Sequence, residues 1–227
     1  MAKSLYKKTR SGDPKQPHPL MGTKEGLKPS SHQVWDYVFC SECEQRFSKE
    51  GENYMMRLVT SKGKFPLLEK LDSGGKPVKG DFFRAYSAGE SRSIDRDQIA
   101  YFATSVFWRA SVHRWKQEDG TLVFVTISAD HREVLRRYLL GLEAFPKDAA
   151  LFMIVCTDPE SQNMFVMPGD NVKNAGGWVV IMRGLIFIFS MGREIPSYIS
   201  NYCLMNSPNR WITVRDCSVP HKIWQFK

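Results

Sequence analysis

The last third of the chain is written in short β-branched and aromatic runs separated by turn residues, and that rhythm constrains the fold more than anything else. Residues 151–157, 163–167, 178–183, 185–190 and 211–214 are rich in Val, Ile, Phe, Leu and Trp, with Asp158-Pro159, Pro168-Gly169 and Gly176-Gly177 breaking them apart. Runs this short with turns this close pair with their neighbours in sequence, which predicts a mostly antiparallel sheet. The longest apolar stretch, 178–191, is interrupted by Arg183 and Gly184. A membrane-spanning helix needs about 20 uninterrupted apolar residues, so no membrane span is expected.

Upstream the period changes from two to 3.6. Ile99, Phe102, Ala103, Val106, Phe107 and Ala110 share one helical face, with Ser93 or Asp95 available as the cap, and the spacing predicts a helix that runs on to Trp115. A second helix is expected over 130–142, ending before Phe145-Pro146, with a strand or loop at 122–127 between the two. Residues 44–59 are helix-compatible, although Gly51 weakens them, and 33–39 favour a strand. Residues 61–90 read mostly as loop, and the Gly and Pro of 9–31 predict an extended, irregular lead-in. The expected fold is α+β: an N-terminal strand, a Cys-x-x-Cys knuckle and a helix, then central helices, then the C-terminal sheet. The expected units are a basic extended arm at 1–32, a partial zinc-knuckle module at 33–90 and an α+β domain at 91–227 packed against it.

A hydrophobic fraction of 42% excludes a disordered chain, and the net charge of +8 is unevenly spread. Residues 1–30 hold seven Lys/Arg (Lys3, Lys7, Lys8, Arg10, Lys15, Lys24 and Lys28) against two Asp/Glu, so +5 of the excess sits in the arm. Such an arm can lie along a phosphate backbone by counterion release, or it can simply be a solvated terminus. Its single aromatic, Tyr6, offers little base stacking. The first ten residues lack the apolar core of a secretory leader. With five cysteines in no framework spacing and Cys156 inside an apolar run, like a reduced core thiol, the expected location is the cytoplasm.

Cys40-Ser41-Glu42-Cys43 is the sharpest local signal. Two thiolates at this spacing can grip one zinc ion from a tight turn, but a structural site needs four ligands. No second Cys pair is present, so His18 and His32, which precede the motif, or a partner chain would have to complete it. An unfilled half-site and a redox dithiol remain open beside the metal reading, although the dithiol of thioredoxin type expects a βαβ context. Glu42, Glu44, Glu50 and Glu52 surround the motif; they could bind a divalent ion, yet a helix N-terminal dipole accounts for acidic residues there.

The string Asp36-Tyr37-Val38-Phe39-Cys40-Ser41-Glu42-Cys43-Glu44-Gln45-Arg46-Phe47-Ser48 with Gly51-Glu52, the segment Phe65-Pro66-Leu67-Leu68, and Phe107-Trp108-Arg109-Ala110-Ser111-Val112-His113-Arg114-Trp115 together resemble an uncharacterised bacterial protein family related to HNH-type endonucleases. The resemblance spans residues 5–150. It implies that Cys40 and Cys43 are the second Cys pair of a ββα zinc-bound module. The first pair and the strand carrying the general-base and metal-binding histidines have no counterpart in this chain; Leu5-Tyr6 resembles the continuation immediately after that strand. Nuclease activity is therefore not carried over, because metal-assisted hydrolysis loses most of its rate without either part. A link to bacterial defence or mobile elements is likewise an implication of the resemblance.

Two further groups are candidates. His113, with Arg109 and Arg114, could act as a base or phosphate ligand, or could pack at a helix end. His131, Arg132, Arg136 and Arg137 could touch phosphate, or could form a solvated face offset by Asp130 and Glu133. Trp108 and Trp115, seven residues apart, read as core anchors on one helix face. The leading expectation is a nucleic-acid-associated protein that binds DNA or RNA through Lys3, Lys7, Lys8, Arg10, Lys15, Arg132 and Arg136. A protein-interaction subunit or homo-oligomer is the alternative, with strands such as 184–191 inviting pairing if they lie at a sheet edge. A nuclease whose metal site is completed by another chain is the third.

Overall fold

The computed structural model describes residues 18, 20–23, 26–30, 38–59, 65–117, 120, 122–170, 177–192, 195 and 200–218. The architecture is α+β. A nine-stranded sheet, ordered β2-β1-β8-β9-β10-β7-β11-β4-β3, is formed by β1 (Leu20–Thr23), β2 (Gly26–Pro29), β3 (Val78–Lys79), β4 (Phe83–Tyr86), β7 (Ala149–Cys156), β8 (Met164–Asp170), β9 (Trp178–Met182), β10 (Leu185–Met191) and β11 (Ile212–Arg215). Its pairings are antiparallel except β1 with β8 and β11 with β7. A separate short hairpin joins β5 (Trp115–Lys116) to β6 (Leu122–Val123).

The centre of this sheet matches the expected strands because β9 and β10 form a hairpin across the break that precludes a membrane helix. Arg183 (φ 51°) and Gly184 (φ 76°) are both left-handed, the backbone of a two-residue turn whose twist suits antiparallel strands. β10 lies between β9 and β7 and is buried on both faces, so 184–191 is an interior strand and does not meet the edge condition on which pairing through it depended. Interior position explains its unbroken apolar run, since neither face meets water.

One face of the sheet packs against the helices. These are α1 (Ser41–Phe47), a π-helical turn (Ser48–Glu52), α2 (Asn53–Val59), α3 (Pro66–Gly74), α4 (Arg96–Val112) and α5 (Ala129–Leu139). Phe107 of α4 stacks on Phe189 with centroids 5.5 Å apart, and Phe102 meets Phe187 edge-on at 6.1 Å. Period-two alternation sends Ile154, Val179, Ile181, Ile186 and Ile188 into a second buried cluster on the other face.

α4 begins at its expected cap: the Asp95 carboxylate accepts from the Asp97 and Gln98 backbone N–H groups. Burial alone would raise the Asp95 pKa, but these bonds and one from the Gln98 side chain outweigh it and hold the carboxyl below its usual range. The helix stops at Val112, short of Trp115. His113 leaves helical geometry (φ −139°, ψ 143°), and Trp115 reaches the core from β5, donating from Nε1 to the Arg109 carbonyl. Trp108 and Trp115 therefore do not share a helix face: Trp108 packs from α4 against the main buried cluster, and Trp115 is buried from β5.

The lead-in differs from an irregular arm. β1 and β2 pair as a hairpin and β1 docks parallel to β8, with Met21 opposite Phe165. Gly22 permits this, since a Cβ there would meet Val166 Cγ2 at 2.7 Å. Pro29 is tolerated because β2 is an edge strand. Of the strand expected at 33–39, residues 33–37 lie outside the described residues, and Val38 and Phe39 are not in a strand. Met21, Met55 and Phe187 belong to one buried cluster, which crosses the boundaries expected at 32 and 90.

Candidate functional site

Cys40 caps the N-terminus of α1 in an extended conformation, and Cys43 lies on its first turn. The Cys40 carbonyl accepts from Glu44 N–H at 3.1 Å, closing the first helical turn and bringing the sulfurs within 3.3 Å of each other, where they share a hydrogen bond. The Cys40 thiol is exposed, and hydrogen bonds from the Cys43 backbone and thiol hold its pKa below the ordinary value. Cys43 is pushed the other way, first by that same hydrogen bond and then by burial. The two thiols are chemically unequal. Glu42 and Glu44 sit in the first turn of α1, as the helix dipole favours.

The turn is held by aromatic packing. The Phe39 ring meets Phe47 edge-on at 5.7 Å and Trp108 at 5.6 Å, while Arg46 donates to the Leu140 carbonyl at 3.1 Å. Beneath it, α1 and α2 press against α4 through Gly51, where a Cβ would lie 2.9 Å from Phe102 N and Cα. The π-helical turn around Gly51 widens the helix there and carries Glu52 into the interior. Glu52 is 6% exposed and Arg109 4%, and Arg109 Nη2 donates to Glu52 Oε1 at 2.9 Å. Arg109 also donates to Ser105 O and Oγ and stands over the Phe47 ring, 4.9 Å from its centroid. Glu52 is thus an interior anchor, not one of a surface cluster of carboxylates around the thiols.

Among the described residues, no third His, Cys, Asp or Glu donor joins both Cys40 and Cys43 within 4.8 Å. Among the described residues His18 is not brought to the pair, and its buried Nδ1 has no hydrogen-bond partner there. His32, Lys3, Lys7, Lys8, Arg10 and Lys15 lie outside the described residues. His113 ends α4 with its ring edge-on to Trp115 at 4.8 Å, and Arg109, its expected companion, is turned inward to Glu52. Arg136 forks onto Glu133 with two 2.7 Å bonds, which neutralises it. Arg132 donates from Nη1 to the Ser111 carbonyl and has no carboxylate partner among the described residues, while its own carbonyl accepts from Trp108 Nε1.

A second constellation was not foreseen. Cys156, expected as a reduced core thiol, forms a disulfide with Cys217, the Cα atoms 5.4 Å apart. The cause is a pairing between distant parts of the chain: β11 runs parallel to β7 with Arg215 opposite Cys156, which carries Cys217 alongside. Cys156 is therefore not the reduced thiol from which a reducing compartment was expected. Among the described residues no helix is long and apolar enough to cross a membrane. Asp158, read from the sequence only as part of a turn, is buried beside the disulfide and accepts from Ser161 N–H at 2.8 Å and Cys217 N–H at 3.0 Å. Donor atoms of Cys156, Asp158 and Cys217 lie within 4.8 Å of one another, a group able to hold a metal were the sulfurs not joined. No family model matches the chain, and no curated protein or solved structure matches it either.

Proposed function

We propose that this chain is a nucleic-acid-associated protein that contacts DNA or RNA through the basic residues of 1–30 and the surface around Cys40 and Cys43. The observation that carries the reading is the distribution of charge: residues 1–30 hold +5 of the net +8. Of the two candidate arginines on α5, Arg132 bonds a neutral carbonyl and has no carboxylate partner among the described residues, whereas Arg136 is matched by Glu133. In this reading the Cys pair is half of a zinc site, completed by His32 or by a second chain, and it stiffens the contact surface without cutting the nucleic acid. The resemblance to HNH-type proteins favours such a role, and a place in defence or mobile-element biology rests on that resemblance alone.

Fluorescence anisotropy with labelled duplex and single-stranded probes tests it. Micromolar or tighter binding that weakens steeply with salt is expected. Flat, negligible binding at low salt would refute it.

One observation favours a second reading. The sulfurs approach to 3.3 Å with no third donor beside both among the described residues, which suits a dithiol that closes to a disulfide. Zinc content of the purified chain separates the two, since a metal-bound pair carries zinc that is lost in Cys40→Ser/Cys43→Ser.

A further inference from the structure

Cys156, Asp158 and Cys217 meet where β7 and β11 end, on the sheet face away from the helices. We propose that reduction of the Cys156–Cys217 disulfide opens a zinc site formed by the two sulfurs and one Asp158 carboxylate oxygen, so that this place holds either the disulfide or the metal.

The chemistry balances with a dithiol or phosphine as reductant. Two electrons cleave the S–S bond; a dithiol gives its two protons to the sulfurs and leaves as its own disulfide, whereas with a phosphine one water supplies both protons and the oxygen of the phosphine oxide. Zinc then displaces both thiol protons to solvent as two Zn–S bonds form.

The geometry needs little rearrangement. Bonded sulfurs stand about 2.05 Å apart. In a tetrahedral centre with Zn–S near 2.3 Å they stand roughly 3.8 Å apart, so they must part by under about 2 Å. β11 ends at Arg215, so Cys217 lies beyond the ladder, and no strand pairing has to break for that shift. The carboxylate is already oriented. Each Asp158 oxygen accepts one backbone N–H, from Ser161 or from Cys217 itself, and each keeps a lone pair for a metal. Such bonds are the usual outer-shell support of a metal ligand.

Donor type and charge fit the same ion. Two thiolates select zinc over the oxygen-seeking magnesium and calcium. Two thiolates and a carboxylate around a divalent ion leave one net negative charge. Arg215, the register partner of Cys156, carries the opposite charge on the neighbouring strand, and its Nε is buried with no hydrogen-bond partner among the described residues. Three protein ligands leave a fourth position for water.

Cobalt(II) titration of the metal-free full chain tests the proposal, with Cys40→Ser/Cys43→Ser as background to silence the other pair. The reduced, desalted protein is expected to bind one equivalent with a thiolate-to-cobalt charge-transfer band, and the oxidised protein none. Losing an outer-shell partner costs about 10–100-fold in metal affinity, so Asp158→Asn, which weakens a direct ligand, is expected to reduce binding by at least about tenfold. Cys156→Ser is expected to abolish it. No binding after reduction, equal binding before it, or an unchanged affinity in Asp158→Asn would overturn the proposal. So would loss of the folded circular dichroism spectrum on reduction, because the site requires β7 and β11 to stay paired.

Discussion

Removing the Glu52 carboxylate strands a guanidinium in the interior. Both side chains of the Glu52–Arg109 pair are at least nine-tenths buried, the contact is 2.9 Å, and the other Arg109 bonds go to neutral Ser105 atoms and a ring face. Breaking a buried pair from one side costs about 3–5 kcal/mol, mostly the penalty of the charge left behind. For a chain of this size each kcal/mol shifts the melting temperature by about 2–4 °C, so Glu52→Leu or Arg109→Met is expected to lower it by roughly 6–20 °C. Replacing both partners together, Glu52→Leu with Arg109→Met, leaves no stranded charge and is expected to cost less than either single change. Urea denaturation of the two single variants and the double variant measures this, with equal m-values confirming a common unfolding transition. Single losses below about 1 kcal/mol, or a double variant equal to the sum of the singles, would refute the claim that the pair joins the π-helical turn to α4.

Three further outcomes rest on the packing and the titrating groups. Gly51→Ala would drive its methyl group into the Phe102 backbone, and an overpacked contact of that kind is expected to cost about 1–3 kcal/mol by the same urea assay. Burial, then the hydrogen bond to Asp72, pushes the Tyr86 phenol up to about 12, and burial does the same to Tyr101. Because their folded values lie above the unfolded ones, the stability they contribute is intact below the ordinary tyrosine pKa and is lost as pH rises through about 12. An ultraviolet tyrosinate titration is expected to show these two ionising late, after the exposed phenols. Cys40 is exposed with its thiol held low, whereas burial raises buried Cys203 to about 12, so iodoacetamide near neutral pH is expected to label Cys40 well before Cys203 by peptide mass spectrometry.

The features legible in the sequence were those encoded within a few residues. The Asp95 cap, the apolar face of α4 and the strands between Ala149 and Arg215 are each specified by a run and its breakers. Features set by distant partners were not. β1 and β2 hide in a Pro- and Gly-rich stretch because their strand character comes from docking on β8. The Cys156–Cys217 bond depends on the parallel pairing of β11 with β7, and Glu52 with Arg109 depends on a helix contact that Gly51 permits. At the candidate site, Cys40 and Cys43 stood out because three-residue spacing puts two sulfurs on one turn. Asp158 looked like a turn residue, since nothing local tells that its carboxylate will be buried beside two cysteines.

The central claim, contact with nucleic acid through the basic residues of 1–30, is tested most directly by the slope of log affinity against log salt. The unaltered chain is to be compared with a variant carrying Ala at Lys3, Lys7, Lys8, Arg10 and Lys15. Each phosphate contact contributes about 0.9 to that slope on duplex DNA, so the variant is expected to bind more weakly and to show a visibly shallower dependence. The same slope and the same affinity in both proteins would contradict the account.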